Sequence, residues 1–343
     1  MNKVKGLLKH WEFILLLLFV LEFMIFGVAN PGKFFRASSI LASVTNYISV
    51  CIIALFVTFV MITGGIDIQA SALIGLTSIT IGVLWSDAGL NIWQAVSIAI
   101  LLSACCGALS GFFIAYCGVQ PMVVTLGGSL LYSGVALLIS GLSKTPAYQG
   151  ISGFPAKAAN GTFTSFRFLG KGTLFGIVPV PIVIYFVLIV LCYFLLHKTK
   201  YGRKVFLIGV NPEAAEYSGI NSRLVIMSTY ILTSVGAAIA GVLLTANIDS
   251  AKYDLGSTFT LSIITAVVLG GTLSTGGKGS IFGTVLASLM ICVMRYGLPL
   301  CFGIKTQSLD LPIGIMLLVV VVGREVAKSP VIRKYFNKRK KRG

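Results

Sequence analysis

The chain has 343 residues, of which 56% are hydrophobic and only 11% are charged, and its mean hydropathy is +0.95. Such a composition excludes an ordinary soluble domain and indicates a polytopic membrane protein. The net charge of +17 could suggest nucleic-acid binding, but the basic residues cluster at the ends of apolar segments. Flanks of this kind contact anionic lipid headgroups, so we expect membrane lipid and no nucleic acid as a partner.

Apolar windows long enough to cross a bilayer as helices recur along the whole chain. Seven are strong, at residues 11–29, 47–63, 92–115, 122–141, 181–197, 223–246 and 280–298, and three are weaker, at residues 68–85, 258–272 and 309–323. The window at 258–272 is short and ends near a Gly-Gly pair, so we expect a half-helix with irregular backbone buried in protein. The pattern predicts an all-α bundle of about ten spans that forms a single transmembrane domain over residues 1–343.

Basic residues are distributed unevenly between the two sides of this predicted bundle. With the N-terminus inside, eighteen of the 27 Lys and Arg residues fall on the inner side and nine on the outer side. The positive-inside rule therefore predicts that both termini are cytoplasmic, including the basic tail at residues 324–343.

The longest loop on the predicted outer side covers about residues 142–180 and is rich in Gly, Thr, Ser and Phe. It is too long for a simple turn, and long loops within compact folds are usually functional. We expect an ordered outer cap or docking surface.

Residues 198–222 form the one substantial polar stretch between two apolar windows, and their basic residues predict a cytoplasmic location. Within this loop, Asn211 suits a helix N-cap, Pro212 suits the first helical position, and Glu213 complements the positive end of the helix dipole. The segment predicts a short helix that the loop can present to a soluble partner.

Gly64, Gly65 and Asp67 lie in a junction between two apolar windows. Glycine permits unusual backbone angles and close helix approach, so we interpret the three residues as a structural motif in which Asp67 caps the next helix. The alternative is an ion-coupling carboxylate, because acids within a membrane are often functional. Glu22, in the middle of the first window, is a second candidate for such a role.

Groups of residues that could perform covalent chemistry are scarce. The stretch LGGTLSTGGKGS at residues 269–280 resembles a phosphate-binding loop, but Thr272 replaces its first glycine and Gly279 replaces its Ser or Thr. We interpret it as a tight cytoplasmic turn. The seven cysteines lack metal-ligand spacing, and neither histidine lies in a catalytic pattern. We therefore expect no enzyme activity, catalytic residue, cofactor or bound metal in this chain.

Four stretches, taken in order, resemble the permeases of ATP-binding cassette importers for ribose, other sugars and autoinducer-2. They are MITGGIDIQASALIGLTS (61–78), QPMVVTLGGSLLYSGVALLISG (120–141), KTKYGRKVFLIGVNPEAAEYSGI (198–220) and ITAVVLGGTLSTGGKGSIFGT (264–284). Within that family, WEFILLLLFVLEFMIFGVANP (11–31), SGLSKTPAYQGISGFP (140–155) and LHKTKYGRKVFLIG (196–209) are most similar to a permease subunit of the autoinducer-2 importers. One departure is that many sugar permeases continue Gly-Gly-Ile with Asp-Leu-Ser-Val-Gly, whereas this chain has Asp-Ile-Gln-Ala-Ser at residues 67–71.

This resemblance implies an assembly of two permeases and two ATPases in the bacterial cytoplasmic membrane, supplied by a soluble substrate-binding protein. ATP and Mg²⁺ would be bound by the partner ATPase. In this family the loop between the sixth and seventh spans docks on the ATPase. The corresponding coupling residues here are Gly209, Asn211, Pro212, Glu213, Ala214, Ala215 and Gly219. The implied cargo is autoinducer-2, with ribose or another small sugar as the alternative.

A pathway for a neutral polyol requires small, hydroxyl and aromatic side chains rather than fixed charges. By residue type and position near helix breaks, we expect such a pathway to be lined by Asn46, Thr125, Ser129, Tyr132 and Phe259. A protein of a different class, a proton-coupled secondary transporter, would instead use Asp67 and Glu22. An integral-membrane enzyme would need a catalytic cluster, which the sequence does not suggest.

Overall fold

The computed structural model describes residues 11–144, 151–152, 161–305 and 308–328. Within these ranges the first helices are α1 (Trp11–Ala29), α2 (Pro31–Phe34), α3 (Ala37–Ile62), α4 (Ala70–Ser86), α5 (Ile92–Ala115), α6 (Pro121–Leu142) and α7 (Gly161–Lys171). The remaining helices are α8 (Val180–His197), α9 (Lys200–Val210), α10 (Pro212–Tyr217), α11 (Ser222–Ile248), α12 (Thr260–Leu269), α13 (Ile281–Phe302) and α14 (Asp310–Lys328). Two antiparallel pairs of very short strands join β1 (Ile151–Ser152) to β4 (Ser250–Ala251) and β2 (Thr173–Leu174) to β3 (Val178–Pro179).

The helical bundle confirms the predicted all-α fold. Within the described ranges, seven helices are long and apolar enough to cross a membrane: α1, α3, α5, α6, α8, α11 and α13. Each corresponds to one of the seven strong windows, although α3 begins at Ala37, well before the predicted start at residue 47. Its first turns contain Ser, Thr and Asn, which lower the hydropathy without interrupting the helix. The three weaker windows correspond to α4, α12 and the apolar part of α14.

Helix α4 lies at the centre of the bundle. Every residue from Ala70 to Gly82 is buried, and the helix packs against α5, α6 and α11. A helix that is apolar on all sides is normally surrounded by other elements. The buried residues of α3 and α11 extend the same core, so these central helices are enclosed by protein rather than by lipid.

Small residues bring α5 and α11 into close contact. A β-carbon on Gly107 would lie 2.3 Å from Ser234 Oγ, and one on Gly111 would lie 3.0 Å from Met227 Cα. The Ser103 hydroxyl also donates a hydrogen bond of 2.8 Å to the Ser234 carbonyl oxygen. Close approach of this kind, with polar contacts across the interface, is how helices associate without a hydrophobic driving force in lipid.

The second half of the loop at residues 142–180 is ordered around α7. Phe163 and Phe166 are buried, and a β-carbon on Gly170 would lie 2.3 Å from the Ala246 carbonyl carbon. Asp249 follows α11 in a left-handed conformation and forms salt bridges with Arg167 and Lys171 of α7. These contacts fasten α7 to the end of α11, as predicted for an ordered cap. Residues 145–150 and 153–160 of this loop lie outside the described ranges.

Asp87 joins α4 to α6 at the same end of the bundle. It accepts hydrogen bonds from Ser86 Oγ and Ser143 Oγ, both at 2.7 Å, and from the Lys144 backbone N–H at 3.1 Å. Partial burial alone would raise the pKa of the Asp87 carboxyl, but these hydrogen bonds outweigh it and hold the pKa below its usual value. The carboxylate therefore stays ionised and ties the two helix ends together.

A short apolar helix is confirmed in the window at residues 258–272, and its crossing of the membrane as a half-helix stays a prediction. Helix α12 has only ten residues, and residues 252–259 before it form turns rather than a helix or a strand. After α12, the glycine-rich residues 270–280 form the predicted tight turn, in which Gly271, Gly276 and Gly277 adopt positive φ angles.

The contact between residues 252–259 and α4 provides a stability test. A β-carbon on Gly75 of α4 would lie 2.1 Å from the Tyr253 carbonyl oxygen, which cannot move without displacing the backbone. We expect Gly75→Ala to destabilise the purified protein by about 1–3 kcal/mol, as overpacking typically does, and to lower its melting temperature in detergent.

Gly141→Ala is the matched control, because nothing lies within 4 Å of a β-carbon at that helical position. It should melt at or above the wild-type temperature, since alanine is favoured over glycine in a helix by up to about 1 kcal/mol. Equal melting of Gly75→Ala and wild type would contradict the close contact.

Candidate functional site

The loop at residues 198–222 folds into two helices with a capping residue at each start. Thr199 Oγ1 accepts a hydrogen bond of 3.2 Å from the Gly202 N–H at the start of α9. Asn211 Oδ1 accepts one of 3.0 Å from the Ala214 N–H at the start of α10, where Pro212 is the first helical residue and Glu213 lies in the first turn. The short capped helix predicted from the sequence is confirmed.

A backbone contact holds α9 against the rest of the bundle. A β-carbon on Gly209 would lie 1.8 Å from the Ile62 carbonyl oxygen and 2.5 Å from the Gly277 nitrogen. The Gly277 N–H donates a hydrogen bond of 2.8 Å to the same Ile62 oxygen. The end of α9, the end of α3 and the glycine-rich turn therefore meet at one junction, in which no side chain larger than glycine fits at position 209.

The predicted coupling residues comprise an exposed group and two residues that face the chain itself. Asn211, Pro212, Glu213, Ala214 and Gly219 are exposed, with Gly219 at φ +79° in the turn after α10. Ala215 is only 4% exposed and faces the chain itself, as Gly209 does. A coupling role for Ala215 and Gly209 would therefore be to position the loop. The role of the whole set stays a prediction.

Two exposed apolar residues, the last residue of α9 and the last residue of α10, were missed by sequence reasoning. Tyr217 is 94% exposed and Val210 is 72% exposed. Tyr217 follows Ala214 by three residues, so the two share a face of α10. The sequence feature that could have identified them is the presence of large apolar residues within a polar loop. Ala214 and Tyr217 form an exposed surface that we call the α10 face, and the exposed Val210 precedes it at the end of α9.

A buried polar cluster surrounds the break between α3 and α4. Asp67 Oδ1 accepts a hydrogen bond of 3.1 Å from the Gln69 N–H, and Gln69 Oε1 accepts one of 2.6 Å from Ser110 Oγ. Tyr132 Oη lies 3.1 Å from Ser110 Oγ and donates to the Cys106 carbonyl oxygen at 3.0 Å. Gly64 has φ +87°, a conformation that favours glycine.

Asp67 caps the turn that leads into α4, although the N-cap position of the helix itself is Gln69. Its second oxygen, Asp67 Oδ2, has no hydrogen-bond partner among the described residues. Glu22, the other candidate acid, lies on α1, which packs against α13, and both of its carboxylate oxygens are buried and similarly unpartnered within those residues.

The five predicted pathway residues are not gathered at one place. Thr125 and Tyr132 are buried, and Thr125 Oγ1 donates to the Ile66 carbonyl oxygen at 3.0 Å. Ser129 is half-buried on α6, and Phe259 is half-buried at the start of α12. Asn46 is exposed and lines a cavity of about 620 Å³ between α3 and α13, which none of the other four residues lines. Their role in a pathway stays a prediction.

Comparison with known proteins places this arrangement in a class. A family model described as branched-chain amino acid transport system / permease component matches residues 39–321. The chain belongs to this permease family and is a multi-pass membrane component of a transport system. No solved structure matches it significantly.

Several relatives carry a more specific description, autoinducer 2 import system permease protein LsrD. The relative from Photorhabdus laumondii is 38% identical over 317 residues, and those from Yersinia pseudotuberculosis and Yersinia enterocolitica are 40% and 41% identical over the same length. In each case the match covers 92% of this chain and 92% of the relative.

The capping role of Asp67 leads to a test with two substitutions. Asp67→Asn keeps an acceptor for the Gln69 N–H, so we expect a normal membrane level and substantial transport by the assembled system. Asp67→Leu leaves that buried N–H without a partner, at a cost of about 1–3 kcal/mol, and should lower the amount of folded protein. Immunoblotting of membranes and an uptake assay give the two readouts. A normal level of Asp67→Asn with complete loss of transport would instead identify a coupling acid.

Proposed function

We propose that this chain is the translocating permease subunit of an ATP-binding cassette importer for autoinducer-2 in the bacterial cytoplasmic membrane. The observation that carries the proposal is the match to autoinducer-2 import permeases over 92% of both chains. The polar loop between two membrane helices presents the capped α10 helix at the surface of the chain. This arrangement supports the proposal that a separate subunit supplies the energy for transport. The partners would be a second permease subunit, ABC ATPases that bind ATP and Mg²⁺, and a soluble substrate-binding protein.

The α10 face is the proposed contact with the ATPase. Ala214 is small, which permits close packing, while Tyr217, together with Val210 at the end of α9, offers apolar area that would otherwise face water. Closure of the ATPases would displace α10 and α9 together. Because Gly209 contacts the Ile62 carbonyl oxygen directly, the displacement would pass to α3 and the glycine-rich turn.

Uptake by cells that express the complete importer tests the substrate. We expect saturable accumulation of labelled autoinducer-2 that requires this chain and its ATPase and that excess ribose does not compete. Competition by ribose would identify a sugar permease instead. Loss of uptake on addition of an uncoupler, with cellular ATP held constant, would identify a proton-coupled transporter that uses Asp67 or Glu22.

The charge distribution predicts which side each loop occupies. Position 160, in the long outer loop, lies outside the described residues, but Phe175 in the same loop is 94% exposed. In a cysteine-free background, Phe175→Cys should react with a membrane-impermeant thiol reagent on spheroplasts, where the outer face of the membrane is accessible. Val210→Cys should react only after the membrane is opened with detergent. Labelling of Val210→Cys in sealed spheroplasts would refute the orientation.

Substitution of Ala214 tests the docking of α10. Ala214→Arg adds bulk and a charge to the α10 face, and a charge desolvated at an interface without a partner costs several kcal/mol. We expect normal membrane levels, because Ala214 is exposed in the isolated chain, together with loss of ATPase co-purification and of uptake. Ala214→Ser should retain both ATPase co-purification and uptake. Phe175→Arg, which places the same charge in the outer loop, should retain ATPase co-purification.

Ala215→Arg is a poorer test, because Ala215 is buried and the substitution would disturb the loop itself. Unchanged ATPase association and uptake in Ala214→Arg would show that α10 is not the coupling helix.

A further inference from the structure

The irregular segment at residues 252–259 runs alongside the first half of α4. The Lys252 N–H donates a hydrogen bond of 3.2 Å to Ser78 Oγ, and the Tyr253 carbonyl oxygen faces Gly75. At the other end of the segment, Thr260 Oγ1 lies 2.5 Å from Ser71 Oγ. The segment thus descends along α4 from Ser78 to Ser71 before α12 begins.

The position of this segment along α4 gives its depth. Trp85 and Asp87 mark the aqueous end of α4, where the Lys144 N–H also binds Asp87. At 1.5 Å per residue, Ser78 lies about 12 Å and Ser71 about 22 Å from Ser86 along the helix axis. With Ser86 placed at the boundary of a hydrocarbon layer about 30 Å thick, residues 252–259 would lie within that layer.

Polar side chains are exposed at this depth. Lys252, Asp254, Ser257 and Thr258 are all exposed on the surface of the chain. Irregular backbone and charged groups are not tolerated against lipid tails, and they occur at this depth only where protein or a water-filled cavity surrounds them. This face of the segment is therefore adjacent to water or to another subunit.

A cavity of about 260 Å³ opens between this segment, α4 and α6. Its polar lining comprises Ser71, Ser133, Asp254 and Ser257, and its apolar lining includes Leu137 and Leu255. On α6, a β-carbon at Gly134 would meet nothing within 4 Å, so the cavity is open on that side. Pockets for drug-sized ligands occupy about 300–1,000 Å³, so this cavity suits a smaller solute.

We propose that this cavity is a solute-binding station on the translocation pathway and that its ligand is a small, neutral, polyhydroxylated molecule. The Asp254 carboxylate has two acceptor oxygens for adjacent hydroxyl groups, and the serine hydroxyls can both donate and accept. The apolar residues Leu137 and Leu255 offer a surface to the carbon face of such a molecule. This proposal rests on the proposed function, because it takes the solute to be the transported molecule and therefore autoinducer-2 as the first ligand to test.

Cysteine labelling in the assembled importer tests access from water. In a background in which the seven native cysteines are replaced, Ser133→Cys and Ser257→Cys should react with a positively charged methanethiosulfonate reagent. Leu191→Cys on α8 is the control, because Leu191 is 55% exposed on an apolar transmembrane helix and should face lipid. Labelling of the two cavity positions at no more than the rate of Leu191→Cys would overturn the proposal.

Protection of these cysteines from labelling by a bound ligand tests the existence of the binding station separately from the identity of the substrate. Autoinducer-2, delivered with its binding protein, should slow labelling of Ser133→Cys and Ser257→Cys several-fold without affecting a cysteine at Phe175. Protection by ribose but not by autoinducer-2 would support the station and reject the proposed cargo. Labelling that neither compound slows would reject the station.

The carboxylate itself is tested by Asp254→Asn, which preserves size and removes the charge. We expect the concentration for half-maximal uptake to rise about tenfold, with a normal membrane level, because a charge-assisted hydrogen bond to the solute is weakened. Asp87→Asn removes a carboxylate at the aqueous end of α4 and should leave that concentration unchanged. An unchanged value in Asp254→Asn would remove Asp254 from the site.

Discussion

Hydrocarbon cannot hydrogen-bond to backbone groups, and this constraint shapes the interruptions that follow helices α3 and α11. Where α3 ends, the Ile62 carbonyl oxygen accepts from the Gly277 N–H, and the Ile66 oxygen accepts from Thr125 Oγ1. Where α11 gives way to irregular backbone, the Lys252 N–H binds Ser78 Oγ. The partners come from neighbouring helices and from the glycine-rich turn, so these interruptions are stabilised by the assembled bundle.

These interruptions also organise the function that we propose. Unwound backbone lets polar groups lie at membrane depth, which a solute pathway requires, and it lets helix segments on either side shift separately. One interruption, at residues 252–259, borders the cavity with Asp254. Another, at the end of α3, meets α9 and the loop proposed to contact the ATPase. Helix α4 borders the cavity, and α3 ends at the junction with α9. Because α3 and α4 are consecutive in the chain, a short segment in the core joins these two regions.

Much of the fold could be predicted because its determinants are local. The seven strong apolar windows became seven long helices, and the sequence Asn211-Pro212-Glu213 contains its own start signal for α10. The short helix α12 was predictable from a window too short to cross a bilayer.

Side-chain direction was not predictable in this way. Ala214 and Ala215 are adjacent and chemically identical, yet tertiary packing buries only Ala215. Likewise, Thr125 and Tyr132 have the residue types of a pathway, but their hydroxyls are used in hydrogen bonds to the backbone.

The junction of Gly209, Ile62 and Gly277 consists of backbone atoms in contact with backbone atoms. Side chains of the α10 face can therefore vary to suit a different partner without altering the geometry through which a displacement reaches α3. Recognition of the ATPase and transmission of its movement would then reside in separate sets of atoms. A permease built this way could exchange one energising partner for another while keeping the same membrane machinery.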